Sequence, residues 1–397
     1  MSVFFASLSN RARTARLAVR HPRFAAAIAR RRLWERAMAV APGRNLMPGR
    51  PVEVVVALTS RCQLACGMCG IRRVMARPPY RGSALAYPDL APALDEAASW
   101  RPRPYFKFTG GEPMLLGEDL FRILAHCRQA GLPARLSTNG VALADPEAAR
   151  KLVRTGVDVV TVSLDGPAHV HNTIRGRKFA FDRTVAGIRN LGREKAAHTG
   201  RTPLVQVSTV IHAGNSRYVE KVHDLCRALP VDWWNVQLLN FVSSEAGAEA
   251  DELAEQWDLP PGPWNAFDNP ELRDFDPADM CRAVDRIKRR NTPFVISFLR
   301  TGGFDAKTMA TYHAGSESPL LRKRCPAPFL SMHVVPTGDM VFCIDYPYVV
   351  YGNVRTHGLE QGWRSSGAKR FRRMVLEEFN TRGRPLPQCN RCNWMFN

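Results

Sequence analysis

From residue 52 onward, short runs of β-branched and aromatic residues alternate with longer stretches whose apolar positions recur every three or four residues. The runs Val52–Leu58, Tyr105–Thr109, Ala134–Thr138, Val157–Leu164, Leu204–Ile211 and Trp233–Phe241 read as strands. They are almost continuously apolar, the pattern of parallel strands covered on both faces. Between them, Asp89–Ser99, Gly117–Ala130, Pro146–Thr155, Phe181–Asn190 and Ser216–Ala228 carry helical spacing. Six strands with intervening helices predict an α/β fold with a parallel sheet and right-handed crossovers. A Pro- and Gly-rich stretch, Pro260–Pro277, interrupts the order, and a helix near Asp279–Arg290 and a strand Phe294–Leu299 follow. Beyond about residue 318 the alternation is lost, and short strands and turns are expected.

The first 50 residues have a different pattern. Phe4, Leu8, Ala12, Ala15 and Val19 fall on one helical face, and Pro22 separates them from a second segment with Phe24, Ile28, Trp34 and Met38. Pro42, Gly43, Pro48, Gly49 and Pro51 form a linker. The expected organisation is a basic helical segment at 1–50, a catalytic domain at 51–300 and a cysteine-bearing module at 301–397.

Of the net charge of +20, the first 50 residues supply +10, with eleven Arg, no Lys and the single acid Glu35. Only nine of the 56 basic residues are Lys, so the rest of the excess reads as a general preference for Arg rather than one designed patch. Such charge permits contact with nucleic acid or an anionic membrane without demanding either. No stretch has the apolar length of a membrane span, and the opening lacks a secretory signal. Ten cysteines without a signal point to metal or redox chemistry rather than structural disulfides, and to the cytoplasm.

Three of those cysteines stand at C-x3-C-x2-C on the loop after the first strand: Cys62, Cys66 and Cys69. Thiolates are the usual ligands of a [4Fe-4S] cluster, which ordinarily takes four. Three leave one iron open, and an open position is what a catalytic metal needs. A zinc knuckle is the structural alternative. The next strand ends carry Gly110-Gly111-Glu112, then Ser137 and Asn139, then Ser163 and Asp165, followed by Arg175. Singly, each is an ordinary strand-to-helix turn. Together on one rim, they describe a face for a ligand with an amine, a carboxylate and a ribose.

Residues 52–241 resemble a radical S-adenosylmethionine (SAM) core domain, an open (β/α)6 partial TIM-type barrel. The likeness implies that Cys62, Cys66 and Cys69 hold a site-differentiated [4Fe-4S] cluster. It also implies that Gly110, Gly111 and Glu112 meet the SAM amine, that Ser137 and Asn139 lie near its methionine and ribose, and that Ser163 and Asp165 belong to the ribose region. Arg175 matches an arginine that faces the SAM carboxylate in the sulfatase-maturing relatives. The implied chemistry is reductive cleavage of SAM to a 5′-deoxyadenosyl radical, fed by a donor such as flavodoxin or ferredoxin.

Near the other end stand Cys325, Cys343, Cys389 and Cys392. On spacing alone, four thiols suit zinc and iron–sulfur equally. The pattern resembles the opening of a SPASM domain, a twitch-like auxiliary-cluster module, which implies one auxiliary [4Fe-4S] cluster on all four. Because the sequence ends five residues after Cys392, a second auxiliary cluster is not expected. Sulfatase-maturing enzymes carry a catalytic Asp directly after the cysteine matching Cys343, where this chain has Ile344. Asp345, one position on, is the candidate base. Cys127, Cys226 and Cys281 read as buried apolar residues, and His171 and His333 as structural.

The substrate is less legible. Residues 1–50 are too short for a peptide-leader or cobalamin domain, which directs the expectation to a small molecule, lipid or glycan. Modification of a peptide or an RNA is the alternative, and no RNA-binding motif is visible. A non-catalytic iron–sulfur or zinc protein is the remaining class. The basic helices offer two readings: packing on the barrel, or peripheral contact with the inner membrane face.

Overall fold

The computed structural model describes residues 8–41, 44–45, 47, 49–198, 201–298, 305–313, 325–389 and 391–392. Its frame is one ten-stranded sheet in the order β10-β9-β8-β1-β2-β3-β4-β5-β6-β7. Seven strands run parallel in sequence order: β1 (Glu53–Ala57), β2 (Tyr105–Thr109), β3 (Ala134–Thr138), β4 (Val159–Ser163), β5 (Leu204–Ile211), β6 (Trp233–Leu238) and β7 (Val295–Phe298). The expected strands near residues 52, 157 and 233 are shorter than their apolar runs. At the last of these, the Leu239 N–H still donates to Ile211 O at 3.0 Å, while Asn240 and Phe241 lie beyond the strand's carboxyl end. Leu299 lies outside the described residues.

The remaining strands come from the cysteine-bearing tail. β8 (Ser331–Val334) adds in parallel to the edge of β1, and β9 (Asp339–Val341) and β10 (Val350–Asn353) follow antiparallel. The tail therefore shares the sheet of the main domain instead of folding beside it. It also holds a 17-residue helix, Ser366–Arg382, where only strands and turns were expected. Ser365 caps it by accepting from the Ala368 N–H, and Gly383, at φ +66°, ends it. Its apolar spacing is masked in sequence because Arg372 takes a core position. That guanidinium lies 4.0 Å over the Trp363 ring and donates to the Pro328 and Trp363 carbonyls.

The first two helices, α1 (Leu8–Arg20) and α2 (Pro22–Val40), lie across the amino ends of the strands. Phe24 packs edge-on against Tyr105 and Trp233, with Val159 and Leu204 in the same cluster. Asn10 exchanges two hydrogen bonds with the Ile296 backbone, Arg23 pairs with Asp158 and Arg31 with Glu53. Burying Phe24 and Met38 contributes about 1.5–3 kcal/mol each. The packing reading thus holds for one face of α2, and Phe24 and Ile28 belong to the barrel rather than to any lipid. Phe4 lies outside the described residues. Among the described residues, no helix is long and apolar enough to cross a membrane.

Candidate active site

The loop after β1 gathers Cys62, Cys66 and Cys69 into one small apolar cluster with Leu64, Val141 and Ala180. Each sulfur faces a nitrogen donor. Asn139 Nδ2 lies 4.0 Å from Cys62 Sγ, Arg175 Nη1 lies 3.7 Å from Cys66 Sγ, and the Arg72 N–H donates to Cys69 Sγ at 3.3 Å. The last bond makes Cys69 the cap of the helix α3 (Gly70–Met75). Donors aimed at sulfur favour thiolate over thiol, as cluster ligands require. Burial above all, with the neighbouring Glu112 and cysteines, pushes the Cys62 thiol up to about 11, and burial beside Cys66 raises that of Cys69, so a metal bound here would displace their protons.

The glycine pair does more than open space for a ligand. Gly111 N–H donates to Thr59 O at 2.6 Å and Glu112 N–H to Arg61 O at 2.8 Å, locking this turn onto the cysteine loop. A Cβ on Gly111 would sit 2.2 Å from Arg61 O, and Gly110 has φ +128°, so only glycine fits this approach. Glu112 is wholly buried. Its carboxylate accepts from Thr138 Oγ1 at 2.6 Å, Asn139 N at 2.7 Å and Met114 N at 3.1 Å, tying the end of β2 to the end of β3. Burial raises its pKa above the ordinary carboxylate value. Ser137 and Ser163 are half-buried at the ends of β3 and β4.

Asp165 and Arg175 form a buried ion pair, 2.6 Å apart, with the carboxylate fully shielded from solvent. The helix Ala168–Arg175 brings the guanidinium there, and its last carbonyl accepts from the Ala65 N–H at 3.1 Å. One arginine thus touches Cys66 and Asp165 at once. Sequence reasoning passed over Asn215, which donates to Asp165 O at 3.1 Å and to Val210 O at 2.8 Å. His171, read as structural, accepts from the Asp165 N–H through Nδ1 at 3.2 Å. Gln63, 3.3 Å from Asn139 Nδ2, was also passed over. Its position inside the cysteine motif was the available signal.

The other four cysteines line a single cavity with Asn240, His333 and Asp345. At about 70 Å3 the cavity is several times the roughly 10–15 Å3 that one buried water needs. Thiols around so large a void suit a polynuclear cluster better than one zinc ion held at about 2.3 Å. Among the described residues, no three His, Cys, Asp or Glu side chains are placed to hold a single metal ion. Burial raises the thiols of Cys343, Cys389 and Cys392 and pushes Asp345 up to about 6, against the Asn240 amide that donates to it at 2.9 Å. Asn240 follows β6, so the main domain completes the wall of the tail's cavity. Cys127, Cys226 and Cys281 are buried in the core.

Residues 56–226 match the model of the Radical SAM superfamily, and residues 325–393 match that of the iron-sulfur cluster-binding domain SPASM. The chain belongs to the radical SAM superfamily. This radical SAM protein is 31% identical over 210 residues to the AdoMet-dependent heme synthase of Nitratidesulfovibrio vulgaris, covering 51% of this chain and 53% of that protein. It is 34% identical over 197 residues to GTP 3',8-cyclase 2 of Mycobacterium bovis, covering 49% and 51%. The chain thus spans about half the length of the curated relatives it matches. Streptococcus suis SuiB bound to S-adenosylmethionine superposes with a TM-score of 0.60 at 16% identity, over 87% of this chain and 77% of SuiB. Native anSMEcpe with bound AdoMet gives 0.56 at 17% identity, over 81% of this chain and 82% of that one. Fold and family agree on an open barrel with a tail module. The matched parts are a radical SAM core at residues 56–226 and an iron-sulfur cluster-binding domain at residues 325–393, which go with SAM, a [4Fe-4S] cluster and an auxiliary iron–sulfur cluster as cofactors.

Proposed function

We propose that this enzyme reductively cleaves SAM and uses the 5′-deoxyadenosyl radical to abstract a hydrogen atom from a small-molecule substrate. The observation that carries the reading is the meeting of three thiols, each facing a nitrogen donor, with the interlocked Gly110–Glu112 turn at the carboxyl ends of β1–β4. When bound, the reduced cluster supplies one electron to the SAM sulfonium, and the carbon–sulfur bond breaks to give methionine and the radical. Cys62, Cys66 and Cys69 are the proposed ligands. The backbone of Gly110 and Gly111 lines the approach for the SAM amine, and Glu112 fixes the Asn139 loop against it. Ser137 and Asn139 face the methionine and ribose part, with Ser163 beside the ribose. Arg175 is the cation nearest the SAM carboxylate, and Asp165 orients it.

In the tail, Cys325, Cys343, Cys389 and Cys392 hold the auxiliary cluster in this reading, and Asp345 accepts a proton from substrate beside it. A ferredoxin or flavodoxin is the proposed electron donor. The small-molecule class is supported by the names of relatives at 31–37% identity, which include a heme synthase, an Fe-coproporphyrin III synthase and a GTP cyclase. The test is anaerobic protein with dithionite and SAM. Wild type is expected to form 5′-deoxyadenosine, and the combined Cys62→Ala, Cys66→Ala and Cys69→Ala variant is expected to lose all of it and about half the iron. Full cleavage by the triple variant would reject the proposal.

A further inference from the structure

A helix packed on a domain normally turns polar residues outward. The pair α1 and α2 departs from that rule. While Phe24, Ala27 and Met38 are buried against the barrel, the opposite stripe of α2 exposes Ala26, Ala29, Leu33, Ala37 and Val40. On α1, Ala12, Ala15 and Val19 are likewise exposed. Val19, Leu33 and Val40 are 82%, 67% and 86% accessible, three of only six large apolar side chains exposed among the described residues. A continuous apolar face of this kind marks a contact surface, unlike a lone exposed leucine.

The charge beside this face has one sign. Arg11, Arg16, Arg20 and Arg36 are exposed around it, with no lysine on either helix. Glu35, the only acid in the first 50 residues, is buried and paired with Arg31. Arg32 is half-buried between Arg31 and Arg36, and burial lowers its pKa. Apolar side chains flanked by arginine, on helices whose one carboxylate is buried, complement a surface that is apolar beneath and anionic above.

We infer that the outer face of α1 and α2 docks on an anionic phospholipid bilayer. Leu33, Val40 and Val19 enter the acyl boundary, and the arginines bind lipid phosphates. Because these helices cover the amino ends of the strands, docking turns the cysteine loops, at the carboxyl ends, away from the lipid. The membrane is then an anchoring surface and not the source of the substrate. This inference stands apart from the proposed reaction and survives or fails separately from it.

The test is co-sedimentation of the full-length, cluster-loaded protein with phosphatidylglycerol-containing vesicles and with phosphatidylcholine vesicles, at low and high salt. Wild type is expected to pellet with the anionic vesicles, to release at high salt, and to ignore the neutral ones. The exposed double change Leu33→Glu with Val40→Glu should weaken binding at least tenfold, leaving melting temperature and 5′-deoxyadenosine formation unchanged. Arg16→Gln with Arg20→Gln should flatten the salt dependence. Failure of wild type to pellet with anionic vesicles overturns the inference, as does equal binding by the Leu33/Val40 variant. Loss of a dimer by that variant in light scattering, without vesicle binding by wild type, would reassign the face to a contact between copies.

Discussion

Arg175 touches Cys66, a proposed cluster ligand, on one side and a buried carboxylate on the other, which makes the sign of its electrostatic effect testable. Its Nη1 lies 3.7 Å from Cys66 Sγ and its Nη2 lies 2.6 Å from Asp165. One-electron reduction spreads a negative charge over the cluster, roughly 7 Å from the guanidinium, and at an effective dielectric of about 20 the attraction is about 2 kcal/mol. For a one-electron couple that corresponds to roughly 100 mV. Arg175→Met is therefore expected to lower the cluster midpoint by about that amount. Asp165→Asn removes an opposing charge one guanidinium further away and should raise the midpoint by a smaller amount. Arg175→Met also leaves Asp165 buried and unpaired, at a cost of about 3–5 kcal/mol, so the double variant Arg175→Met with Asp165→Asn should be more stable than Arg175→Met alone. The assay is EPR-monitored redox titration without SAM, on samples matched for iron content, with urea unfolding in parallel. Midpoints that move in the same direction in the two single variants, or do not move, would refute the electrostatic account and leave the pair a packing element.

Gly111→Ala places a Cβ 2.2 Å from Arg61 O and should part the two loops, lowering reconstituted iron at the core cluster while the tail retains its own; normal iron content at both sites would contradict the steric argument. Asp345→Asn should leave 5′-deoxyadenosine formation intact and abolish substrate product, and unchanged turnover would remove Asp345 from the reaction. Glu53 is wholly buried, and although burial opposes its charge, Arg31 and Lys107 hold its pKa down to about 2. A carboxylate depressed in the folded state stabilises above its ordinary pKa and loses that contribution as pH falls from about 4.5 toward 2, about 3 kcal/mol in all. Glu53→Gln should flatten the acid limb of stability against pH, and an unaltered limb would count against the ion network. Cys389→Ala with Cys392→Ala should remove the auxiliary centre and also lower the melting temperature, because β8 of the tail pairs with β1; retention of all iron would exclude those two ligands.

Much of this protein was legible from sequence because its signals are local. Short runs rich in apolar and β-branched residues, each closed by a polar turn, mark the parallel strands, so the ranges of β2, β3 and β5 could be read to the residue. The C-x3-C-x2-C loop and the polar strand ends were legible for the same reason, since thiol spacing and turn residues are written consecutively. Tertiary structure decided what depends on distant partners. It joined the tail to the edge of β1, placed Arg372 in the core where aromatic stacking and carbonyls could satisfy its charge, and gave Asp165 to Arg175. It also settled which way the first two helices turn. α2 carries apolar residues on two opposite sides, Phe24 and Met38 on one and Leu33 and Val40 on the other, so periodicity could not choose its buried face. Only the barrel, by taking Phe24 and Met38, left Leu33 and Val40 facing outward.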